Sequence, residues 1–260
     1  MALQLEAAIF RMRISCLLLV MVSAFACNPK KYAFERRVSC EEGVSEVNTN
    51  LRKIFKPCRE YVFRARYWDN QFNLISDDYI WMMATGRDWA YEPESQDEIA
   101  IQYAFDSTKI DFIKQYTINP EFASGWRVSE VTGIIETEET VWMHPFRSNQ
   151  YLFTQVAAFP YVKLPLERST QWTSRGNNYE NWGRWSNHTL NSTYQVLDFE
   201  KVETEFSNLD AWHIKATTTA DFGTSINDFW FSQEYGFVKM VINNYEGQVL
   251  IIELVEVKDS

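Results

Sequence analysis

The stretch FWFSQEYGFVKMVINNYEGQVLIIELVEV, residues 229–257, decides the fold class of this protein. Aromatic and β-branched residues alternate with polar ones along it, which is typical of strands with one buried face. Two turn sequences interrupt the alternation, Gln233-Glu-Tyr-Gly236 and Asn244-Tyr-Glu-Gly247. Because a short turn containing glycine between alternating runs predicts a β-hairpin, we expect three antiparallel strands over residues 229–231, 237–243 and 248–257.

The same alternation extends upstream to residue 61. Five further runs share it and are rich in aromatic and β-branched residues: 61–67, 99–105, 126–132, 151–157 and 211–217. Pro160 and Pro165 bracket a short run that we expect to be an edge strand or a loop, since proline cannot donate to a strand ladder. We therefore predict a mainly β domain over residues 61–260. Its architecture is a curved antiparallel sheet, a barrel or a sandwich, and periodicity does not choose among them.

The N-terminal segment has the outline of a signal peptide. Arg11 and Arg13 precede an apolar run, residues 14–26, that ends on small residues. This run is shorter than the roughly 20 residues that cross a bilayer, so we assign residues 1–26 to a cleaved signal.

The end of this signal, Ala24-Phe25-Ala26-Cys27, resembles the lipobox of bacterial lipoproteins, in which the cysteine is lipidated. The resemblance implies a cell-envelope protein anchored to a membrane, preferably the outer membrane, through Cys27. Ordinary signal peptidase cleavage after Ala26 is the alternative.

Charge is distributed unevenly after the signal. Residues 28–60 hold eight basic and five acidic side chains, whereas residues 61–260 hold 15 basic and 29 acidic ones. An acidic body repels phosphate backbones, so nucleic acid is not an expected partner. We interpret residues 27–60 as the linker that follows the anchor, with a short helix of its own.

The cysteines leave one question open. Cys16 and Cys27 belong to the signal and the anchor, which leaves Cys40 and Cys58 as a pair that an exported protein could oxidise. Helical spacing argues against the bridge, because five apolar residues before Pro57 predict a helix between the two: Val44, Val47, Leu51, Ile54 and Phe55. Such a helix rises about 20 Å, whereas bridged Cα atoms lie within about 7 Å. No cysteine pair has the spacing of a zinc site, so no metal is expected.

Catalytic patterns are weak. His144, His188 and His213 lie far apart, and the side chain of Asp210, three residues before His213, should point to the opposite face of a strand. Glu136 and Glu138 share a face and could form a glycosidase pair, but a solvated strand face is the preferred interpretation. Since there is also no nucleophile elbow and no phosphate-binding glycine loop, we predict a protein that is not an enzyme and has no catalytic residue or cofactor.

The sharpest local feature is WTSRGNNYENWGRW, residues 172–185. Four aromatic side chains in it are candidate ligand-binding residues: Trp172, Tyr179, Trp182 and Trp185. Their rings could stack on a sugar while polar neighbours hydrogen-bond its hydroxyls, namely Asn177, Asn178, Asn181 and Arg184. Alternatively, the rings hold a long loop on the β surface, in keeping with an aromatic content of 16%.

The C-terminal region also resembles a known group of proteins. Phe199-Glu-Lys-Val-Glu203, Ala211-Trp-His-Ile-Lys-Ala216 and the run from Phe229 to Lys239 resemble the closing pattern of uncharacterised TapB-like envelope proteins. Those proteins are similar in fold to the LolA and LolB lipoprotein carriers, half-open β-barrels with an apolar concavity. The pattern departs at Phe206-Ser-Asn-Leu209, where a turn containing glycine is usual.

Two function hypotheses follow. The resemblance to carriers implies a non-catalytic envelope lipoprotein that binds a lipid or another apolar ligand in a β concavity. The aromatic loop instead suggests a surface module that binds a glycan.

Overall fold

The computed structural model describes Phe34, Cys40 and residues 53–118, 126–180 and 182–259, within one unit that spans Phe34–Ser260. The predicted signal peptide, Cys27 and most of the predicted linker helix lie outside the described residues. The described end of that helix, residues 53–55, is a bend. Its backbone N–H groups bond to the Glu136 carboxylate, at 2.8 to 3.0 Å.

Strands make up most of the described chain. The first six are β1 (Glu60–Trp68), β2 (Leu74–Asp88), β3 (Asp97–Ala104), β4 (Ser129–Glu136), β5 (Thr140–Met143) and β6 (Tyr161–Lys163). The next six are β7 (Gln171–Asn177), β8 (Thr189–Glu203), β9 (Asn208–Ala220), β10 (Gly223–Ser232), β11 (Gly236–Asn243) and β12 (Val249–Lys258). The helices within the described ranges are α1 (Ile110–Lys114) and three 3₁₀ helices, Ser107–Lys109, Asn149–Val156 and Gly183–Trp185.

The strands form one antiparallel sheet in the order β6-β5-β4-β3-β2-β1-β12-β11-β10-β9-β8-β7. Every neighbouring pair is consecutive in the chain except β1 and β12, which pair from Glu60 with Lys258 to Trp68 with Val249. The sheet curls into a nearly closed barrel whose one seam lies between β6 and β7. The ring of Tyr161 on β6 meets that of Trp172 on β7 at 6.1 Å, across the seam. The predicted fold class, mainly β with a barrel among its alternatives, is confirmed.

The local predictions succeed where a strand has one buried face. Both predicted turns are present, since β10 ends at Ser232 before β11 begins at Gly236, and the Gly247 N–H bonds to the Asn244 carbonyl at 3.1 Å. The run bracketed by prolines is the edge strand β6.

The strand predicted over residues 151–157 is wrong, because residues 151–156 belong to the 3₁₀ helix Asn149–Val156 and Ala157 is its C-cap. Seven of the eight residues of this helix are buried, so burial on every side, and not a strand's single buried face, produced the apolar pattern.

This buried helix belongs to residues 146–159, which we name the lumen segment because they pack inside the barrel. The ring of Phe63 on β1 lies 5.3 Å from that of Phe146, and the ring of Tyr67 lies 5.6 Å from that of Phe153, measured between ring centroids. All four side chains are at most 3% exposed. From β3, Tyr103 meets Tyr151 at 6.0 Å. Side chains of the lumen segment therefore occupy the interior next to β1 and β3.

Polar side chains of the barrel wall hold the far end of the lumen segment. Asn227 on β10 donates its side-chain N–H to the Ala158 carbonyl at 3.0 Å, and the Tyr194 hydroxyl on β8 donates to the Phe159 carbonyl at 3.1 Å. Because a buried carbonyl without a partner costs about 1–3 kcal/mol, these bonds favour the segment's position against that wall.

The residues that precede β1 also belong to the barrel. Ile54 and Phe55, assigned to the linker from the sequence, are 3% and 2% exposed and join the core. Arg59, 3% exposed, donates to Asp259 and to the backbone carbonyls of Lys53 and Ile54, so it fastens this bend to the end of the chain.

Cys40 and Cys58 form a disulfide, with Cα atoms 5.4 Å apart. The bend at residues 53–55 is compatible with it, whereas a straight helix up to Pro57 would hold the two cysteines apart.

Candidate functional site

The aromatic residues predicted to bind a ligand lie mostly in the protein core. Trp172 on β7 is 7% exposed and stacks on Tyr194 with ring centroids 5.3 Å apart. Trp185 is 1% exposed, and its indole N–H donates to the Tyr245 hydroxyl at 2.8 Å. Trp182 is half-buried against the core, so Tyr179, 77% exposed, is the member of this set that solvent reaches freely.

The polar residues of that loop have different surroundings. Asn177 accepts a hydrogen bond from the Thr189 hydroxyl at 2.9 Å, and Asn178 is buried. Asn181 lies outside the described residues. Arg184 donates to the Glu246 carboxylate at 2.8 Å, which ties the loop to the β11–β12 turn.

Arg184 also lines a polar cleft of about 500 Å³. The cleft lies at the end of the barrel where β1 ends and β12 begins, which we name the cleft end. Because successive strands are antiparallel, the β1–β2, β3–β4, β7–β8 and β11–β12 connections all reach this end. Each of these connections contributes residues to the walls of the cleft. The β1–β2 connection provides the residues of Asp69–Asn73 other than Phe72, and the β3–β4 connection provides residues 115–118. Arg184 comes from the β7–β8 connection, and Glu246 and Gln248 come from the β11–β12 connection.

The Asp69 carboxylate organises one wall. Its Oδ1 accepts the backbone N–H groups of Gln71 at 2.9 Å and Asn73 at 2.8 Å, and its Oδ2 accepts the Asn73 side-chain N–H at 2.9 Å. These bonds, above all the one from the Asn73 side chain, lower the pKa of Asp69. The turn therefore has a charged acceptor at its centre that stays ionised at neutral pH.

The opposite wall is held by hydrogen bonds to one backbone carbonyl. The Tyr116 carbonyl accepts from the Tyr67 hydroxyl at 3.0 Å and from the Gln248 side-chain N–H at 3.2 Å. Gln248 is in turn bonded to Asn244, side chain to side chain, at 2.8 Å. Both walls are thus preorganised by bonds within the protein.

A second polar cluster lies inside the barrel. Gln150 of the lumen segment donates to the Asp78 carboxylate at 2.9 Å and to the Ser76 hydroxyl at 3.2 Å. Desolvation by burial raises the pKa of Asp78 to about 6. This cluster joins the lumen segment to β2, and its side chains are at most 8% exposed. We therefore assign it a role in holding the fold together and not in binding a ligand.

The three histidines are separated in space as well as in sequence. The ring of His144 lies 4.7 Å from that of Trp142, and burial together with the charge of Arg147 lowers its pKa to about 3. His213 on the outer surface bonds to Asp228 at 2.8 Å, and His188 lies 3.4 Å from Asp221.

The carboxylates considered for catalysis are engaged elsewhere. Asp210 pairs with Lys201 at 3.2 Å and not with His213. Glu136 differs from the expected solvated residue, because it is half-buried and accepts the N–H groups of Lys53, Ile54 and Phe55. No group of three or more potential metal ligands occurs in the described ranges. The helices that the structure describes are all too short or too polar to cross a bilayer.

Sequence reasoning missed the cleft and the exposed aromatic beside it. Phe72 lies between two lining residues, Gln71 and Asn73, and is 76% exposed. A usable signal was present, because the run Asp69-Asn-Gln-Phe-Asn73 sets one aromatic residue in an otherwise polar turn between two alternating strands.

Comparison with known proteins adds a likeness of fold. No protein-family model and no curated protein matches the chain. A solved protein designated as exported, with a YmcC-like fold, from Bacteroides fragilis is 10% identical with a TM-score of 0.46, over 80% of this chain and 99% of that one. One designated as a lipoprotein, from Parabacteroides distasonis, is 10% identical with a TM-score of 0.45, over 79% and 97%. The hypothetical lipoprotein YmcC from Escherichia coli is 12% identical with a TM-score of 0.31, over 79% and 89%. Likeness at this level assigns no function and no residue roles.

Proposed function

We propose that this protein is a non-catalytic lipoprotein of the bacterial cell envelope that binds its ligand at the surface of a filled barrel. The proposed location is supported by the sequence, in which two arginines and an apolar run precede Ala24-Phe25-Ala26-Cys27. Several acyl chains on Cys27 would hold the protein on a membrane, because each buried methylene contributes about 0.8 kcal/mol. The outer membrane is the proposed location.

The packed lumen is the observation that carries surface binding. A lipid in the barrel, as the resemblance to lipoprotein carriers implies, would have to displace the lumen segment. Phe146, Tyr151 and Phe153 are each at most 1% exposed, and exposing one such side chain costs about 1.5–3 kcal/mol. Displacement would also break the bonds from Asn227 and Tyr194. A polar ligand at the cleft end meets none of these costs.

Two measurements test this proposal. Radiolabelled fatty acid should enter the wild type and not Cys27→Ser, and fractionation should place the wild type in the envelope membranes. Lipid extraction of purified Cys27→Ser protein, followed by mass spectrometry, should find no stoichiometric lipid. A lipid recovered at one equivalent would contradict surface binding and restore the lumen as the ligand site.

The second candidate function is glycan binding, in which the ligand bound at the surface of the barrel is a glycan. It is favoured because Arg184 of the aromatic loop lines the cleft together with the amides of Asn70, Gln71 and Gln248. Pockets that bind small ligands usually measure about 300–1,000 Å³, and this cleft is within that range. A glycan array probed with Cys27→Ser protein tests it, and an array without signal would remove the candidate.

A further inference from the structure

Phe72 is an exposed aromatic ring at a backbone position that is unfavourable for it. It is 76% exposed, and its φ of 63° lies in the left-handed region. A bulky residue there costs about 1–2 kcal/mol relative to a right-handed conformation, and glycine or asparagine would reduce that cost. Since exposure of the ring gains nothing for folding, neither its conformation nor its chemistry is explained by stability.

The Asp69 turn holds Phe72 in this conformation. The Phe72 N–H bonds to the Asp69 carbonyl at 3.1 Å, and the Asp69 carboxylate accepts the N–H groups of Gln71 and Asn73 on either side. The ring is therefore presented by a turn whose backbone bonds are satisfied, between two residues that line the cleft.

The charges of the cleft select against an acidic ligand. Its lining has two carboxylates, Asp69 and Glu246, and one guanidinium, Arg184. Arg184 is bonded to Glu246 at 2.8 Å, so the cleft has a net negative charge and its cation is already paired. A phosphate or a uronic acid would be repelled, whereas hydroxyl groups would not.

Amide side chains supply suitable hydrogen-bonding partners. Asn70, Gln71 and Gln115 line the cleft and are exposed, and each side-chain amide has donors and an acceptor for hydroxyls. One N–H of Gln115 is used within the protein, since it donates to the Asp111 carbonyl at 3.3 Å. Phe72 follows Gln71 in the same turn, and an aromatic ring and an amide together offer the apolar and polar contacts that the face and the edge of a sugar ring require.

We propose that the cleft binds a neutral oligosaccharide and that Phe72 is the ring on which a sugar residue stacks. This inference rests on the glycan candidate above and specifies its site and its charge class. Gln71 and Asn70 bind hydroxyls at the rim, and the Asp69 carboxylate positions the turn without contacting the sugar.

The test uses full-length Cys27→Ser protein and three probes, maltotetraose, the N-acetylglucosamine tetramer and tetragalacturonate, with calorimetry at low salt. We expect at least one neutral probe to bind and tetragalacturonate to bind more weakly. Phe72→Ala should weaken that binding by roughly tenfold, as expected from loss of an aromatic contact. Phe72→Tyr, which keeps the ring, should stay within about twofold of the parent protein.

The matched control is Tyr91→Ala. Tyr91 is 83% exposed but lies in the β2–β3 connection, at the barrel end opposite the cleft, so its loss should change nothing. Neutral-sugar binding that is unchanged by Phe72→Ala would overturn the proposed site while leaving the glycan function in place. Tighter binding of tetragalacturonate would overturn the charge class. No binding of any of the three probes would overturn the inference, and a glycan array that is also blank would remove the glycan function with it.

Discussion

Replacing Asp78 with asparagine should stabilise the protein at neutral and alkaline pH and change little near pH 4. Asp78 lies on the lumen face of β2, is 8% exposed, and accepts a hydrogen bond from Gln150. Burial raises the pKa of its carboxyl to about 6, and the charge of Asp77 acts in the same direction. Hydrogen bonds from Ser76 and Gln150 and the charge of Lys109 lower the pKa and offset part of this rise.

The size of the effect follows from the difference between folded and unfolded chains. An aspartate in an unfolded chain has a pKa of about 3.9, so the folded state raises it by about two units, which corresponds to about 3 kcal/mol. Between about pH 4 and pH 6 the native state retains a proton that the unfolded state has lost. The contribution of Asp78 to the free energy of unfolding therefore falls as pH rises through this interval, and the loss is complete above it.

Asparagine removes the charge and keeps the hydrogen bonds. Its carbonyl oxygen can accept the Gln150 N–H in place of the carboxylate. Its amide can donate to Gln150 Oε1, a buried atom for which the described residues provide no donor. The substitution thus removes the cost of a buried charge without leaving a new polar group unpaired.

Urea unfolding of wild type and Asp78→Asn at unit intervals from pH 4 to pH 8 measures the difference. We expect the free energies of unfolding to agree near pH 4 and to differ by about 3 kcal/mol at pH 8, in favour of the variant. The comparison variant is Asp77→Asn, because Asp77 lies on the exposed outer face, 2.6 Å from Arg64. Since burial is the largest cause of the raised pKa of Asp78 and the charge of Asp77 is a smaller one, this variant should keep most of the wild-type dependence on pH and reduce it only slightly. A difference between Asp78→Asn and wild type that is constant with pH would refute the reasoning.

Three other predictions concern stability. Reduction of the Cys40–Cys58 disulfide, whose cysteines are 18 residues apart, should lower the free energy of unfolding by about 3 kcal/mol. Urea titrations with and without dithiothreitol measure this difference, and an unchanged unfolding midpoint would contradict the prediction. Trp185→Ala should cost about 3–5 kcal/mol because its ring is 1% exposed, whereas Tyr179→Ala should stay within about 0.5 kcal/mol; equal effects would show that the packing of this loop is misassigned. The pKa of His144, lowered to about 3, means that its contribution is present above about pH 6.5 and lost as pH falls towards 3. In His144→Gln the free energy of unfolding should therefore fall by about 2.5 kcal/mol less than in wild type between pH 6.5 and pH 4.5, as measured by urea unfolding. A fall as steep as that of wild type would count against this assignment.

Prediction from sequence succeeded where one residue's environment depends on its near neighbours. The turn at Asn244–Gly247 and the strands on either side of it could be recognised because alternation and turn chemistry are local properties. Residues 151–157 defeated the same reasoning, because a segment enclosed on all sides is apolar whatever its backbone conformation. Trp172 and Trp185 were ambiguous for a related reason, since a ring has the same chemistry whether it faces a sugar or Tyr194.

The sequence by itself determined the outline of an export signal, the acidic character of the body, and a mainly β chain built from hairpins. Only the tertiary structure decided that the lumen segment packs inside the barrel, that β1 pairs with β12, and that Phe72 and Arg184 belong to the same end of the molecule. These features depend on contacts between residues far apart in the chain. Such contacts form because burying apolar faces of many strands together outweighs the entropy of closing the loops between them, and no local pattern records which distant surfaces will meet.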